Sequence, residues 1–123
     1  MIYKLHQSAG DIIGFHVSGK LTDEDYSGTF VPELARVREQ GDQINLLLEL
    51  EDFHGWDAHG LWDDFKVGLS YRDAIIRIAI IGDKTWEEWM AKLMKVFTKA
   101  EVRYFEHERG HRAWIWLREQ EEG

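Results

Sequence analysis

The sequence predicts an α/β domain with a mixed, mostly parallel five-stranded sheet and helices on both faces. Apolar segments typical of strands alternate with segments of helical spacing, in the order β-β-α-β-α-β-α-β-α. Such alternation needs crossover connections, which make neighbouring strands parallel, so only the first hairpin should be antiparallel. The length of 123 residues, with one proline and eleven dispersed glycines, leaves no linker and predicts a single domain over residues 1–123.

The chain begins with a predicted hairpin. Ile2–His6 and Ile12–Val17 have the character of short strands, and the turn-rich stretch Ser8–Asp11 lies between them. Alternation along the second strand predicts one face with Ile13, Phe15 and Val17, and an opposite face with Ile12, Gly14 and His16.

Two helical pieces should follow, at about residues 23–29 and 31–40. The Thr22 hydroxyl can accept from the amide three residues later, and Asp25 is placed to return that contact in a capping box. Pro32 would break a helix interior but suits a first helical turn, so it marks the start of the second piece.

The rest of the chain alternates strands and helices. A nearly continuous apolar strand is predicted at Ile44–Leu50, the pattern of a parallel strand covered on both faces. The remaining predicted elements are a helix at about 58–72, a strand at Ile75–Ile81, a helix at Asp83–Phe97, a strand at Val102–Phe105 and a helix at about 109–119.

Charge and composition exclude several classes of function. The net charge of −8 and a pI near 5.2 oppose binding to a nucleic-acid backbone, which depends on many Lys and Arg contacts. The absence of cysteine excludes disulfides, zinc–thiolate sites and cysteine nucleophiles, and fits a reducing cytoplasm. No apolar run exceeds the five residues of Ile78–Gly82, which is far too short for a membrane span, and the first residues lack a signal-peptide pattern.

Three segments resemble the SpoIIAA-like family, small bacterial proteins grouped with STAS domains. They are VSGKLTDEDY from Val17, LLELEDFHGW from Leu47 and IGDKTWEEW from Ile81. They lie in the family's order and spacing over almost the whole chain. The resemblance implies a mixed sheet with flanking helices, and kinship with lipid-binding folds of the SEC14 type.

One departure from the STAS pattern concerns the phospho-switch. Anti-sigma antagonists of this fold carry a phosphorylatable Ser or Thr just after the central strand, whereas Glu51–Leu61 contains no hydroxyl residue. Phosphorylation needs an acceptor oxygen, so the phospho-switch is not expected at this segment.

Two histidine-containing segments are candidates for metal chemistry. His107–His111 fits the H-E-x-x-H pattern, in which two histidines on one helical face bind zinc. Its internal Gly110 and Arg109 are poor for a metal helix, and His107 should precede the helix. His54 and His59 lie on either side of Trp56 and Asp57. This segment is typical of the start of a helix, with Asp57 as its cap, rather than of a metal site. We therefore expect no bound metal, no cofactor and no enzymatic activity.

A binding site is predicted beyond the carboxyl ends of the parallel strands, where open α/β sheets hold ligands. The expected loops are Ser18–Thr22, Glu51–Ala58 and Gly82–Thr85. The predicted helix at 84–97 combines a broad apolar face rich in Trp and Met with lysines at its other positions. This composition is typical of helices that lie at a membrane interface and of adaptable binding surfaces. The predicted ligand-binding residues are Lys20, Phe53, His54, Trp56, Trp62, Trp86, Trp89, Met90 and Leu93.

These features favour a non-enzymatic, cytoplasmic domain that binds an apolar or lipid-like ligand with an acidic head. Peripheral contact with the inner membrane face, through the 84–97 helix, belongs to the same hypothesis. The alternative is a protein-interaction module in bacterial regulation, which uses the aromatic surface against a partner or a second copy in a homodimer.

Overall fold

The strands and helices that the structure describes follow one another in the predicted order. The computed structural model describes residues 1–56, 72–82, 91 and 99–119. The described elements are β1 (Ile2–Lys4), β2 (Ile12–Leu21), α1 (Asp23–Asp25), a π-helical turn (Tyr26–Phe30), α2 (Val31–Gln40), β3 (Ile44–Trp56), a 3₁₀ turn (Arg72–Ala74), β4 (Ile75–Ile81), β5 (Glu101–Phe105), a 3₁₀ turn (His107–Arg109) and α3 (Gly110–Arg118). The predicted helices at 58–72 and 83–97 lie outside the described residues, apart from Arg72 and Ala91.

The five strands form one mixed sheet in the order β1-β2-β3-β4-β5. β1 pairs with β2 antiparallel, and each later pair is parallel. The α/β class and the restriction of antiparallel pairing to the first hairpin are therefore confirmed.

Two predicted loops are strands in the structure. β2 continues to Leu21 and β3 to Trp56, so Ser18–Leu21 and Glu51–Trp56 pair with each other rather than forming open loops. The register of this pairing shifts on both sides of Gly19, whose φ is +60°. Asp52 on β3 has φ +46°, a left-handed conformation that Asp tolerates better than most residues.

The first strand is shorter than predicted because its backbone turns early. β1 ends at Lys4, and the Ser8 N–H donates to the Leu5 carbonyl at 3.2 Å. The Leu5 N–H still donates to the Gly14 carbonyl at 2.8 Å, which holds the turn against β2.

The predicted capping box is present at the start of α1. The Thr22 N–H donates to Asp25 Oδ2 at 3.1 Å, and the Asp25 N–H donates to Thr22 Oγ1 at 3.0 Å. Pro32 is the second residue of α2, which continues the π-helical turn: the Val31 N–H donates to the Tyr26 carbonyl, and Pro32 has no N–H with which to extend this series of bonds. The N–H groups of Thr22 and Asp25 at the start of α1 therefore find hydrogen-bond acceptors within four residues of the chain.

One face of the sheet, the α2 face, carries the larger apolar core. Leu34 and Val37 of α2 pack there against alternate residues of the strands. The buried members of this cluster are Ile2, Ile13, Phe15, Val17, Phe30, Leu34, Val37, Ile44, Leu46, Leu50, Phe53, Ile75, Ile78 and Ile80.

Among the described residues, the core of the opposite face, the α3 face, is smaller and contains two tryptophans. Its buried members are Ile12, Leu47, Ala79, Ile81, Ala113, Trp114, Trp116 and Leu117. Gly14 makes room for Trp114, because a Cβ at Gly14 would lie 2.5 Å from Trp114 Cη2. The two predicted faces of β2 are therefore confirmed.

Candidate functional site

A cleft of about 830 Å³ lies between the edge strand β5 and helix α3. Its size falls within the range of about 300–1,000 Å³ typical of ligand sites. The lining combines cationic, acidic and aromatic side chains, namely Arg103, Tyr104, Phe105, Glu106, Arg109, Arg112, Ile115, Trp116 and Glu119.

Three guanidinium groups converge on this cleft from three elements. Arg103 lies on β5, Arg109 in the 3₁₀ turn and Arg112 in α3. Within the described residues, none of the three has a carboxylate within ion-pair distance. Their charges are therefore available to an anion, although the chain as a whole is strongly acidic.

The buried indole of Trp116 forms the apolar wall of the cleft. It is 5% exposed and packs against Phe105 with ring centroids 5.8 Å apart. The guanidinium carbons of Arg77 and Arg103 lie 4.8 Å and 5.6 Å from its ring centroid, within cation–π distance. Arg77 Nη1 also donates to the Trp116 carbonyl at 2.6 Å, which fixes α3 against β4.

The cleft has the chemistry to hold an anionic group beside an apolar one. Guanidinium groups are always charged and bind oxyanions through paired N–H donors. Phe105, Trp116 and the half-exposed Ile115 offer apolar contact next to those donors.

A second polar cluster lies on the α3 face at the middle of β2 and β3. His16 Nδ1 is 2.8 Å from Glu49 Oε1, and its Nε2 is 3.0 Å from Glu51 Oε2. The His16 ring also stacks on Tyr3 with centroids 4.8 Å apart. Both ring nitrogens are engaged by carboxylates, so His16 offers neither nitrogen to a substrate or a metal.

The sequence-predicted site residues are only partly described. Lys20 ends up beside Gly55 at the end of the β2–β3 pair, and His54 is exposed on the same end of β3. Phe53, opposite Gly19, is buried in the core of the α2 face. The structure thus brings these three residues to one end of the sheet, with Phe53 turned into the core.

The other predicted site residues carry no side-chain description. Trp56 is the last residue of β3, and only its backbone is described. The residues that lie outside the described ranges are Trp62, Trp86, Trp89, Met90 and Leu93. Their role in ligand binding stays a prediction.

Sequence reasoning missed the β5–α3 cleft. A signal was present, because Arg109, Arg112 and Trp116 recur at steps of three and four, the spacing of one helical face. The contribution of Arg103 and Phe105 from the preceding strand depends on how α3 packs, which spacing alone does not reveal.

The H-E-x-x-H segment is split between two elements. His107 lies in the 3₁₀ turn before α3, as expected, whereas His111 lies inside the helix. Across the described ranges, no group of three or more His, Asp or Glu side chains is placed to hold a metal ion. In the same part of the chain, we find no helix with the length and apolar character needed to cross a membrane.

Comparisons with known proteins concern the fold of this chain. A family model described as SpoIIAA-like matches residues 12–118. The chain is also similar to the crystal structure of an uncharacterized protein of the DUF3478 family, with a SpoIIAA-like fold, from Shewanella loihica PV-4. The identity is 32% and the TM-score 0.68, over 94% of this chain and 93% of that chain. No curated protein matches the chain.

Proposed function

The chain belongs to the SpoIIAA-like family, and from this premise we propose that it is a non-enzymatic binding domain for a lipid-like ligand with an acidic head. The proposed site is the cleft between β5 and α3. The observation that carries the proposal is the convergence of Arg103, Arg109 and Arg112 next to Phe105 and Trp116.

The charge of the cleft supports an acidic ligand rather than a neutral one. Guanidinium groups that have no carboxylate partner among the described residues gain most from a ligand that carries negative charge. Glu106 and Glu119 also line the cleft, so the arginines exceed the carboxylates by one. An acidic head at the arginines and an apolar tail along Ile115 and Phe105 would match both parts of the lining.

The side chains of the cleft support binding rather than catalysis. Its described lining has no Ser, Thr, Lys or His to act as a nucleophile, and the basic side chains that it offers to Tyr104, Glu106 and Glu119 are all arginines. The chain also contains no cysteine. Arginine and aromatic groups are instead the residue types that anchor ligands and partners.

Binding is tested by calorimetric titration with amphiphiles of equal tail length. We expect decanoate and decyl phosphate to bind, whereas uncharged decyl maltoside should bind at least about tenfold more weakly, the equivalent of about 1.4 kcal/mol. Arg112→Ala should weaken binding of both anions. Arg118→Ala is the matched control, since Arg118 is also exposed on α3 but does not line the cleft. Equal affinity for the uncharged amphiphile would contradict the proposal.

Membrane contact through the 84–97 helix remains part of the lipid hypothesis. Trp89→Ala should abolish sedimentation with anionic vesicles and lower stability only modestly, because an interfacial helix loses an anchoring side chain. Hydrogen exchange across residues 84–97, with and without vesicles, provides the second measurement. Slow exchange in both conditions, together with no sedimentation, would identify a core helix with no membrane role.

A protein-interaction module is the second candidate, and one observation favours it. Ile115 is 50% exposed on α3, directly beside the arginines and Trp116 of the cleft. Interaction hot spots are enriched in Arg and Trp, and Ile115 adds exposed apolar surface beside them. Sedimentation velocity of the purified protein distinguishes the candidates, because a dimer that Ile115→Asp dissociates would favour a surface for a second copy.

A further inference from the structure

The β5–α3 cleft has more cationic donors than a carboxylate head can use. A guanidinium fork satisfies a carboxylate by binding its two oxygens in a bidentate pair. Here Arg103, Arg109 and Arg112 line the cleft from a strand, a turn and a helix, so three guanidinium groups stand where a carboxylate needs only one. A planar, singly charged group leaves part of this donor set without acceptors.

We infer that the acidic head recognised by this cleft is a phosphoryl group. This inference rests on the proposed function, because it names the head group of the same amphipathic ligand. A phosphate monoester has three terminal oxygens and carries about −1.5 to −2 charges at neutral pH. Its oxygens diverge from one phosphorus atom and can meet donors from three elements. The charge also outweighs repulsion from Glu106 and Glu119 better than a single carboxylate charge does.

Arg103 is the anchoring residue in this arrangement. Its guanidinium carbon lies 5.6 Å from the Trp116 ring centroid and 5.9 Å from that of Phe105. Within the described residues, neither Arg109 nor Arg112 has such a ring contact. Arg103 is therefore held in place before the ligand arrives, which reduces the entropy lost on binding.

Lysine cannot replace arginine at this position without loss. A lysine keeps the positive charge but lacks the planar fork that stacks on rings and binds two oxygens at once. Arg103→Lys should therefore reduce phosphoryl recognition while it preserves the net charge of the cleft. Arg118→Lys, on the same helix as Arg112 but outside the cleft, is the matched control.

The test compares decyl phosphate, decanoate and inorganic phosphate by calorimetry at fixed ionic strength. The protein should bind decyl phosphate about tenfold more tightly than decanoate, which corresponds to one additional charge-assisted contact. Arg103→Lys should remove this preference and Arg118→Lys should retain it. Arg112→Lys provides a second cleft variant, and thermal melting checks that each variant is folded.

The outcomes separate the two proposals. Equal binding of decyl phosphate and decanoate, both tighter than decyl maltoside, would overturn phosphoryl recognition and leave the proposed function standing. Binding of neither anion above decyl maltoside would overturn both. Inorganic phosphate that binds as tightly as decyl phosphate would support the phosphoryl site and overturn the role of the tail. A phosphotyrosine peptide that binds more tightly than decyl phosphate would overturn the lipid-like ligand in favour of a protein partner.

Discussion

The two faces of the sheet differ in what they bury. The α2 face is closed by aliphatic residues and phenylalanines, and Leu34 is fully buried at its centre. The α3 face buries a smaller core and combines it with the Arg77–Trp116 contact and the His16–Glu49 pair. Among the described residues, the aliphatic core therefore lies mainly on the α2 face, whereas the Arg77–Trp116 contact beside the candidate cleft lies on the α3 face.

Truncation on the α2 face should have the largest effect on stability. Leu34→Ala removes a fully buried side chain, and large-to-small changes of this kind cost about 3 kcal/mol of the free energy of unfolding. Urea denaturation measures the loss. Affinity for decyl phosphate should be unchanged where the variant is folded. Arg36→Ala, exposed on the same helix, should change stability by less than about 0.5 kcal/mol. A weakened ligand site in Leu34→Ala would break the separation of the two faces.

Overpacking on the α3 face should have the next largest effect. In Gly14→Ala the new methyl group would lie 2.5 Å from Trp114 Cη2 and 3.3 Å from Leu5 Cδ1, so α3 or the indole must shift. We expect a loss of about 2 kcal/mol in urea denaturation. Gly41→Ala is the control, since φ is −173° there and no atom lies within 4 Å of the added Cβ. An unchanged urea midpoint for Gly14→Ala would show that Trp114 does not pack against this strand.

The polar cluster of the α3 face should contribute less, and its two carboxylates unequally. The Glu49 side chain is 31% exposed and the Glu51 side chain 69% exposed. Because solvent weakens exposed ion pairs, Glu49→Gln should cost about 1 kcal/mol and Glu51→Gln less than about 0.5 kcal/mol. Unfolding free energies at low and high salt measure both, and the Glu49 effect should persist better in salt. Equal costs would mean that burial does not distinguish the two contacts.

The smallest expected effect concerns the acidic rim of the cleft. Glu106→Gln removes a negative charge that lines the cleft, so affinity for decyl phosphate should rise about twofold at low salt and less at high salt. Calorimetry at two salt concentrations measures the change. Glu39→Gln removes the same charge from the exposed surface of α2 and should leave affinity unaltered. A decrease with Glu106→Gln would place the anion elsewhere.

Local sequence predicted those parts of the fold that depend on neighbouring residues. The capping box at Thr22 and Asp25 and the apolar strand from Ile44 are determined within a few residues, and both are present. The extension of β3 to Trp56 was missed because it depends on pairing with β2, more than thirty residues earlier in the chain. A register shift at Gly19 is a property of two strands, so no single segment reveals it.

The candidate site was less predictable than the fold for the same reason. Arg103 and Arg112 belong to different elements, and neither is conspicuous in its own segment. Their convergence follows from the packing of Trp116 against Phe105 and Arg77. The rule that ligands lie beyond the carboxyl ends of parallel strands placed Lys20 and His54 at one end of the sheet, where the structure has them. The same rule says nothing about the edge beside β5.

The sequential strand order has a consequence for synthesis on the ribosome. Each strand pairs only with its neighbours in the chain. Every strand after β1 can therefore pair with a strand that has already been synthesised. Growth therefore proceeds across the sheet in one direction, with β5 and α3 added after the other described elements. The arginine cleft is formed by β5, α3 and the turn between them, so a nascent chain lacks the cleft until these elements have been synthesised. Occupancy of the cleft would then require the five-stranded sheet and α3 to have formed, and a ligand present during translation would stabilise only chains in which they have.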